Sequence, residues 1–476
     1  MTYPNLFPFL PELFMAFMII VILMVDAFCG SKKGGITFLT LLTFAGCFGL
    51  QMLVDLGVTQ YTFNNMFILD SLATGTKLFI YVLSFITVIY IKRYLRDKNI
   101  LIGEFYAIFL FAVLGMMVMI SADNMLILYV GLELLSLALY GLIALQRDSV
   151  KATESAMKFF ILGALASGIL LYGISFVYGG SGGQLQLESI AQAMTHSPND
   201  PLILFGLVFI VAGLAFKLGL VPFHMWVPDV YEGSPLAVGA IIGSLTKIAA
   251  VVFIIRFLII GLPAAKDYWS LMLLLLAVLS LFFGNIIAVV QTNVKRILGY
   301  STVSHMGFVA LGFVTMSVDG LVSSLFYVIT YSLTTLAAFG VLTLLSKEGF
   351  ECETLDDLKG LAKTQPGYAF LMLLIMFSMA GIPPLVGFYA KFNIIVSLIA
   401  QKLVGVSVFA VLMSLIGAFF YIRVVKVMYF DDPVKEIKPA EVCAMTKGVL
   451  LVNVALLLVI GIFPTQIMMF CRQLLS

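Results

Sequence analysis

The residues of this chain whose type and spacing could do chemistry are lone charges in long apolar runs. Lys391 is the only charge between Lys363 and Lys402, and Lys247 the only one between Glu232 and Arg256. Lys217 stands alone between Asp200 and Asp229, and Glu133 alone between Asp123 and Arg147. An ammonium or carboxylate at bilayer depth costs at least about 2.5–3.5 kcal/mol, and such groups mark ion and proton pathways. Burial favours the neutral amine of a lysine, and a nearby carboxylate favours the ammonium. Wetting such a site, or moving its carboxylate, is worth roughly 4–7 kcal/mol. Moving a proton against about 200 mV takes roughly 4.6 kcal/mol. A small rearrangement around one of these lysines is therefore enough to load and release one proton, and the residues predict a membrane protein that moves charge.

The elements that position them must be membrane spans. Hydrophobic residues make up 62% of the 476, charged residues 11%, and mean hydropathy is +1.12. A soluble surface normally needs about 25% charge, so lipid is the solvent. A crossing helix takes about 20 apolar residues. On that criterion about fourteen spans are predicted, at 7–28, 36–54, 69–91, 104–121, 124–145, 155–178, 202–221, 236–260, 269–290, 297–316, 321–345, 369–400, 405–429 and 448–470. The runs are far longer than the alternating strands of roughly ten residues used by a β-barrel, so the fold class is all-α and polytopic. The first apolar run follows no basic region or small-residue cleavage site and reads as a retained span.

Other function classes find little support. A net charge of +2 spread over short loops forms no nucleic-acid-binding block. The five cysteines show no paired metal spacing and read as packing residues. No glycine-rich phosphate loop or HExxH motif is present, so no nucleotide, cofactor or metal site is expected in this chain. Connections after odd-numbered spans, such as GSKKGG and IKRYLRDKN, hold 18 Lys and Arg, against 4 in the termini and even-numbered connections. Lys77, Lys158, Lys217, Lys247 and Lys391 lie inside spans. The positive-inside rule then places both termini on the non-cytoplasmic side, which an even number of spans satisfies.

Two spans are internally broken. The seventh runs into Leu220-Val221-Pro222-Phe223-His224, and the long twelfth contains Gly381-Ile382-Pro383-Pro384 followed by Gly387. Proline removes a backbone donor and interrupts helix, and such backbone is tolerated at membrane depth only against protein or a water-filled cavity. Lys217 and Lys391 each lie within about two turns of a break. The breaks are five spans apart and enter from opposite sides, a signature of inverted-repeat transporters. Lys158, one turn past Glu154, also reads as an interfacial lysine that snorkels to the surface. Glu133 also reads as an interhelical polar contact, and His224 and His305 as core histidines. Lys77, about two turns past Asp70, reads as an interfacial or cavity-lining residue, and its role stays open.

Three stretches carry a family resemblance. Lys217-Leu-Gly-Leu-Val-Pro-Phe-His-Met-Trp-Val-Pro-Asp-Val-Tyr-Glu-Gly-Ser-Pro235 resembles the discontinuous seventh helix and exit loop of the antiporter-like subunits of respiratory complex I, the NADH:quinone oxidoreductase. Gln291-Thr-Asn-Val-Lys-Arg-Ile-Leu-Gly-Tyr-Ser-Thr-Val-Ser-His-Met-Gly307 is similar to that family's ninth-to-tenth helix junction, and Gly381-Ile-Pro-Pro-Leu-Val-Gly-Phe-Tyr-Ala-Lys-Phe392 to its broken twelfth helix. With Gly131-Leu-Glu133 on the fifth span, the similarity extends over nearly the whole chain.

The resemblance implies an antiporter-like fold of N-terminal helices (1–103), two inverted five-helix repeats (104–260 and 269–430), and a linker with a last helix (431–476). It implies that Glu133, Lys217, Lys247 and Lys391 translocate protons, with Lys158 and His305 as members of a central polar line. Its implied partners are the lipid bilayer and the other membrane and peripheral subunits of complex I, neighbouring antiporter-like subunits among them. NADH, FMN, iron–sulfur clusters and quinone would belong to other subunits of that assembly. The implied location is the bacterial inner membrane, with both termini periplasmic. The alternative is a subunit of a multisubunit cation/proton antiporter.

The topology is open to test. In a background without native cysteines, a cysteine at Ser476 should react with an impermeant reagent only from the non-cytoplasmic side of sealed vesicles. Labelling from the cytoplasmic side alone would contradict fourteen spans.

Overall fold

With no water in hydrocarbon, an apolar run must satisfy its own backbone, and helices result. The computed structural model describes residues 4–29, 33–100, 103–197, 199–433 and 443–475. The connection around Lys435 and the terminal Ser476 lie outside the described residues. The helices are α1 (Leu10–Cys29), α2 (Lys33–Val54), α3 (Ser71–Asp97), α4 (Gly103–Ile120), α5 (Met125–Ala144), α6 (Val150–Gly180), α7 (Leu187–His196), α8 (Pro201–Leu218), α9 (Trp226–Gly233) and α10 (Leu236–Gly243). They continue with α11 (Leu245–Ile254), α12 (Lys266–Val290), α13 (Val294–Val314), α14 (Val318–Leu345), α15 (Leu361–Thr364), α16 (Pro366–Ala380), α17 (Val386–Ala400), α18 (Val404–Phe430), α19 (Ala444–Ile462) and α20 (Pro464–Leu474).

Thirteen helical segments among the described residues are long and apolar enough to cross a membrane. At 1.5 Å per residue, the 15-residue α16 and α17 are each too short for about 30 Å of hydrocarbon. Joined across the Gly381–Pro384 break, they make the fourteenth crossing.

The spans differ from expectation in two places. The expected eighth span, 236–260, is interrupted at Ser244, where α10 ends and α11 begins, and it closes in a π-helical turn, Ile255–Ile260. The Ser244 hydroxyl bonds the Ala240 carbonyl at 2.5 Å, and the Ser244 carbonyl accepts from Ser332 at 2.9 Å. A serine that bonds back into its own helix while its carbonyl turns to a neighbour bends that helix, and no proline announces the bend. The last expected span, 448–470, stops at Ile462, because Pro464 starts the separate amphipathic α20. Leu474 of that helix lies against Gly75 of α3. A hairpin, β1 (Gln60–Thr62) with β2 (Phe67–Leu69), caps the α2–α3 connection, and Phe63, Asn64 and Asn65 turn through positive φ.

Close helix pairs meet at glycines, as membrane helices do where small residues let backbones approach. A Cβ on Gly115 of α4 would stand 2.5 Å from the Leu135 nitrogen of α5, and one on Gly131 would stand 2.6 Å from the Met119 nitrogen. Gly173 of α6 and Gly206 of α8 face each other the same way. The most hydrophobic stretches of Leu236–Ile260, α13 and α14 are wholly enclosed. Outer helices show apolar side chains to the surroundings, Phe17, Phe38 and Leu415 among them. Lys247 and His305 ride on the enclosed spans.

Candidate functional site

The first break exposes helix carbonyls, and two side chains from elsewhere take them. α8 closes on Gly219, whose φ of 83° suits the left-handed cap that glycine adopts without strain. The amides of Gly219 and Leu220 both reach the Ala215 carbonyl, at 2.9 and 2.8 Å. Gly219 N also reaches the Phe216 carbonyl, at 3.1 Å, and the Leu218 carbonyl lies past the last helical donor. Trp226 Nε1 donates to Phe216 at 2.9 Å, and Lys247 Nζ donates to Leu218 at 3.1 Å. An ammonium there also faces the negative end of the α8 dipole. The Trp226 ring, stacked on Phe159 at 4.5 Å, lies 5.2 Å from Lys247 Nζ.

Lys217 points the other way, toward α5, and donates to Ser136 Oγ at 2.9 Å. Ser136 lies three residues past Glu133, hence on the same face. The Glu133 carboxylate accepts the Ser167 hydroxyl, and Tyr129 Oη stands 3.1 Å from Ser167 Oγ. Glu133 and Lys217 form no direct ion pair among the described residues. They share one face of α5 within electrostatic reach of each other, with Ser136 holding the lysine one turn from the carboxylate.

The second break repeats the closure. Gly381, at φ 87°, and Ile382 both donate to the Phe377 carbonyl, at 3.1 and 3.0 Å. Gly219 thus corresponds to Gly381, and Leu218 to Ala380. Lys391, from the following helix α17, reaches back with all three protons: Met379 O at 3.0 Å, Ala380 O at 2.9 Å and Ser414 Oγ at 3.0 Å. The lysine holding the residue before the glycine is Lys391 here and Lys247 at the first break. Lys217, paired with the first break by sequence proximity, occupies the position of Met379 instead.

Between the two breaks runs a chain of hydroxyls around His305. Its Nδ1 lies 2.7 Å from Tyr327 Oη and its Nε2 2.9 Å from Tyr421 Oη. The His305 ring is 4.9 Å from that of Tyr331. Thr302 Oγ1 joins Tyr331 at 2.7 Å to Tyr231 at 3.0 Å, and Tyr231 belongs to α9, just past the first break. A cavity of about 20 Å³ is bordered by His305, Tyr327, Ser378 and Met379. That volume suits one water, between the histidine and the carbonyl that holds Lys391. No hydrogen bond among the described residues joins Lys247 to Tyr231.

Lys158 is not brought into this line. It is exposed and pairs with Glu154 at 2.8 Å and Asp229 at 2.9 Å, in a network that continues through Arg296 to Glu232. The snorkelling alternative describes this geometry. His224 is buried, with no partner for its Nδ1 among the described residues. The sequence reading missed the hydroxyl carriers Ser136, Thr302, Tyr231, Tyr327, Tyr331 and Tyr421, which have no charge to isolate them. Arg256, Arg423 and Lys426 also fall inside the expected spans 236–260 and 405–429, so by those bounds the odd connections hold 16 basic residues and the rest 3; Arg256 is 1% exposed and forks onto Asp70 with two bonds of 2.7 Å.

Comparison with known proteins gives a consistent neighbourhood. The protein family described as "NADH:quinone oxidoreductase/Mrp antiporter, TM" matches residues 122–417. NADH-quinone oxidoreductase subunit N of Laribacter hongkongensis is 50% identical, over 98% of this chain and 97% of that protein. The subunit N of Neisseria gonorrhoeae is 49% identical, over 99% and 98%. A chain of respiratory complex I from Thermus thermophilus superposes with a TM-score of 0.82 at 28% identity, over 96% of this chain and 98% of that one. A chain of the Mrp complex from Dietzia sp. shares the fold, with a TM-score of 0.84 at 18% identity, over 98% and 96%.

The Glu133 geometry gives a graded expectation. Glu133→Ala removes the carboxylate opposite Lys217, and coupled turnover of the assembled enzyme should fall by about tenfold or more. Glu133→Asp keeps the charge one methylene away and should lose clearly less. Wild-type activity of both variants in membranes with normal assembly would remove Glu133 from the proposed path.

Proposed function

This chain belongs to the NADH-quinone oxidoreductase subunit N family, and from that premise we propose that it is a proton-translocating membrane subunit of that enzyme. Electron transfer from NADH to quinone, with FMN and iron–sulfur clusters, takes place in other subunits, and this chain carries protons across the bacterial inner membrane. The observation that carries the reading is the placement of Lys247 and Lys391 on the open carbonyls of two identically closed helix breaks.

In this reading Glu133, Lys217, Lys247 and Lys391 bind and release protons, and His305 passes them. Lys217 exchanges a proton through Ser136 under the field of Glu133. Lys217 and Lys247 flank one helix end, so two ammonium groups there repel, and charging one favours discharging the other. In the second half, Lys391 gives its proton through the cavity water to the Tyr327 hydroxyl, which passes its own proton to His305 Nδ1. Tyr327 and Tyr421 orient the ring, since each hydroxyl can donate to it or accept from it. The carbonyls of Met379 and Ala380 then face a neutral amine, which weakens the hold on Lys391 and readies it for the next proton. Lys158 stands outside this line, in the surface network with Glu154 and Asp229. The equal closure of the two breaks, five spans apart, supports residues 104–260 and 269–430 as inverted halves between helices 1–103 and the segment 431–476. The excess of basic residues in odd connections supports periplasmic termini. The Mrp likeness supports the fold alone and leaves the antiporter alternative without an observation of its own.

Lys391 separates a proton carrier from a fixed charge. A carrier must release its proton, which arginine, with a pKa above 12, does not do. Lys391→Arg should therefore impair pumping nearly as much as Lys391→Ala, by about tenfold or more. Full coupled activity of the arginine variant in proteoliposomes, with normal assembly, would make the site a fixed charge.

A further inference from the structure

Outside the central line, the first three spans hold a second buried polar cluster. Asp70, Thr74, Lys77, Tyr81 and Ser84 follow one another along α3 at steps of four, three, four and three residues, which places them on one face. Thr74 is 5% exposed, Tyr81 1%, and Lys77 and Ser84 0%. At 1.5 Å per residue the stripe covers about 21 Å of a hydrocarbon layer of about 30 Å. Opposite it stand Glu12 of α1 and Gln51 of α2, both wholly buried. Lys77 Nζ pairs with one oxygen of Glu12, and Gln51 Nε2 reaches Thr74 Oγ1 at 3.4 Å.

Four atoms of the cluster have no protein partner among the described residues: Glu12 Oε2, Gln51 Oε1, Tyr81 Oη and Ser84 Oγ. An orphaned buried polar atom is costly, and four along one stripe point to water as the missing partner. At its outer end the stripe meets Asp70, 21% exposed and held by Arg256. Both lie within electrostatic reach of Lys77.

We infer that this stripe is a second proton path, in which the Glu12–Lys77 pair is the proton-holding step and Asp70 marks the mouth. The inference rests on the proton-translocating reading above. The transfer balances within the pair. The Lys77 ammonium gives a proton to the Glu12 carboxylate, leaving a neutral amine and a neutral acid, so no net charge is created in the lipid. The acid releases its proton through water past Gln51 and Thr74 toward Asp70. In the same step the amine takes the next proton from the Tyr81 and Ser84 side, so the ion pair returns without a lone carboxylate being left in the lipid. One proton enters and one leaves. A purely structural pair would need neither the unpartnered Tyr81 hydroxyl nor Ser84.

Tyr81→Phe tests this without disturbing the ion pair, because it deletes a hydroxyl that bonds nothing among the described residues. In the assembled enzyme in proteoliposomes, Tyr81→Phe should slow proton pumping about tenfold, the order of one lost proton-transfer group. Glu12→Gln/Lys77→Met, which removes both charges together, should stay impaired with normal assembly. Wild-type pumping in both variants, beside a Lys391→Ala enzyme that has lost it, overturns the second path and leaves the central line standing. Wild-type pumping in all three overturns the proton-translocating reading as well. Should the double variant not assemble, Tyr81→Phe alone decides.

Discussion

The structure depends on one interaction: a lysine ammonium seated on backbone carbonyls that a broken helix leaves open inside the membrane. In water those carbonyls would be hydrated, and in lipid each unmet one costs several kcal/mol. The protein supplies Lys247 at Leu218 and Lys391 at Met379 and Ala380. The hold is strongest while the amine is charged, because a neutral amine keeps two N–H donors but loses the charge that the carbonyls and the helix dipole attract.

The rest of the bundle follows from protecting these two points. α13 and α14 are enclosed because they carry His305 and its tyrosines between the breaks, and the spans around them show apolar faces outward. Glycine contacts between α4 and α5, and between α6 and α8, draw backbones together and hold Glu133, Ser167 and Lys217 near one another. Ion pairs at the polar rim, such as Lys158 with Asp229 and Arg296 with Glu232, fix the ends of the spans where water screens them.

Much of this was legible in the residues. Span number and type followed from apolar run length, both proline breaks were read in place, and Lys217, Lys247, Lys391 and Glu133 stood out because a lone charge in an apolar run is costly to bury. What escaped notice lacked such contrast. The Ser244 interruption contains no proline, and the hydroxyl chain from Tyr231 to Tyr421 is built of residues that also pack ordinary cores. Lys247 and Leu218 are far apart in sequence, so the lysine that caps the first break could not be told from the nearer Lys217. Glu12, the partner of Lys77, reads as one acid near the start of the chain until the fold brings α1 against α3. Local pattern reveals an element and an anomaly; the partner of an anomaly is a tertiary fact.

The central claim is that protons pass through the buried lysines themselves. Its most direct measurement is the proton-to-electron ratio of the assembled enzyme carrying Lys217→Ala, reconstituted in sealed vesicles and driven by NADH. The account predicts that most proton pumping is lost and coupled turnover falls with it, although the enzyme assembles. A normal ratio at normal turnover would show that Lys217 lies off the path and would contradict the account.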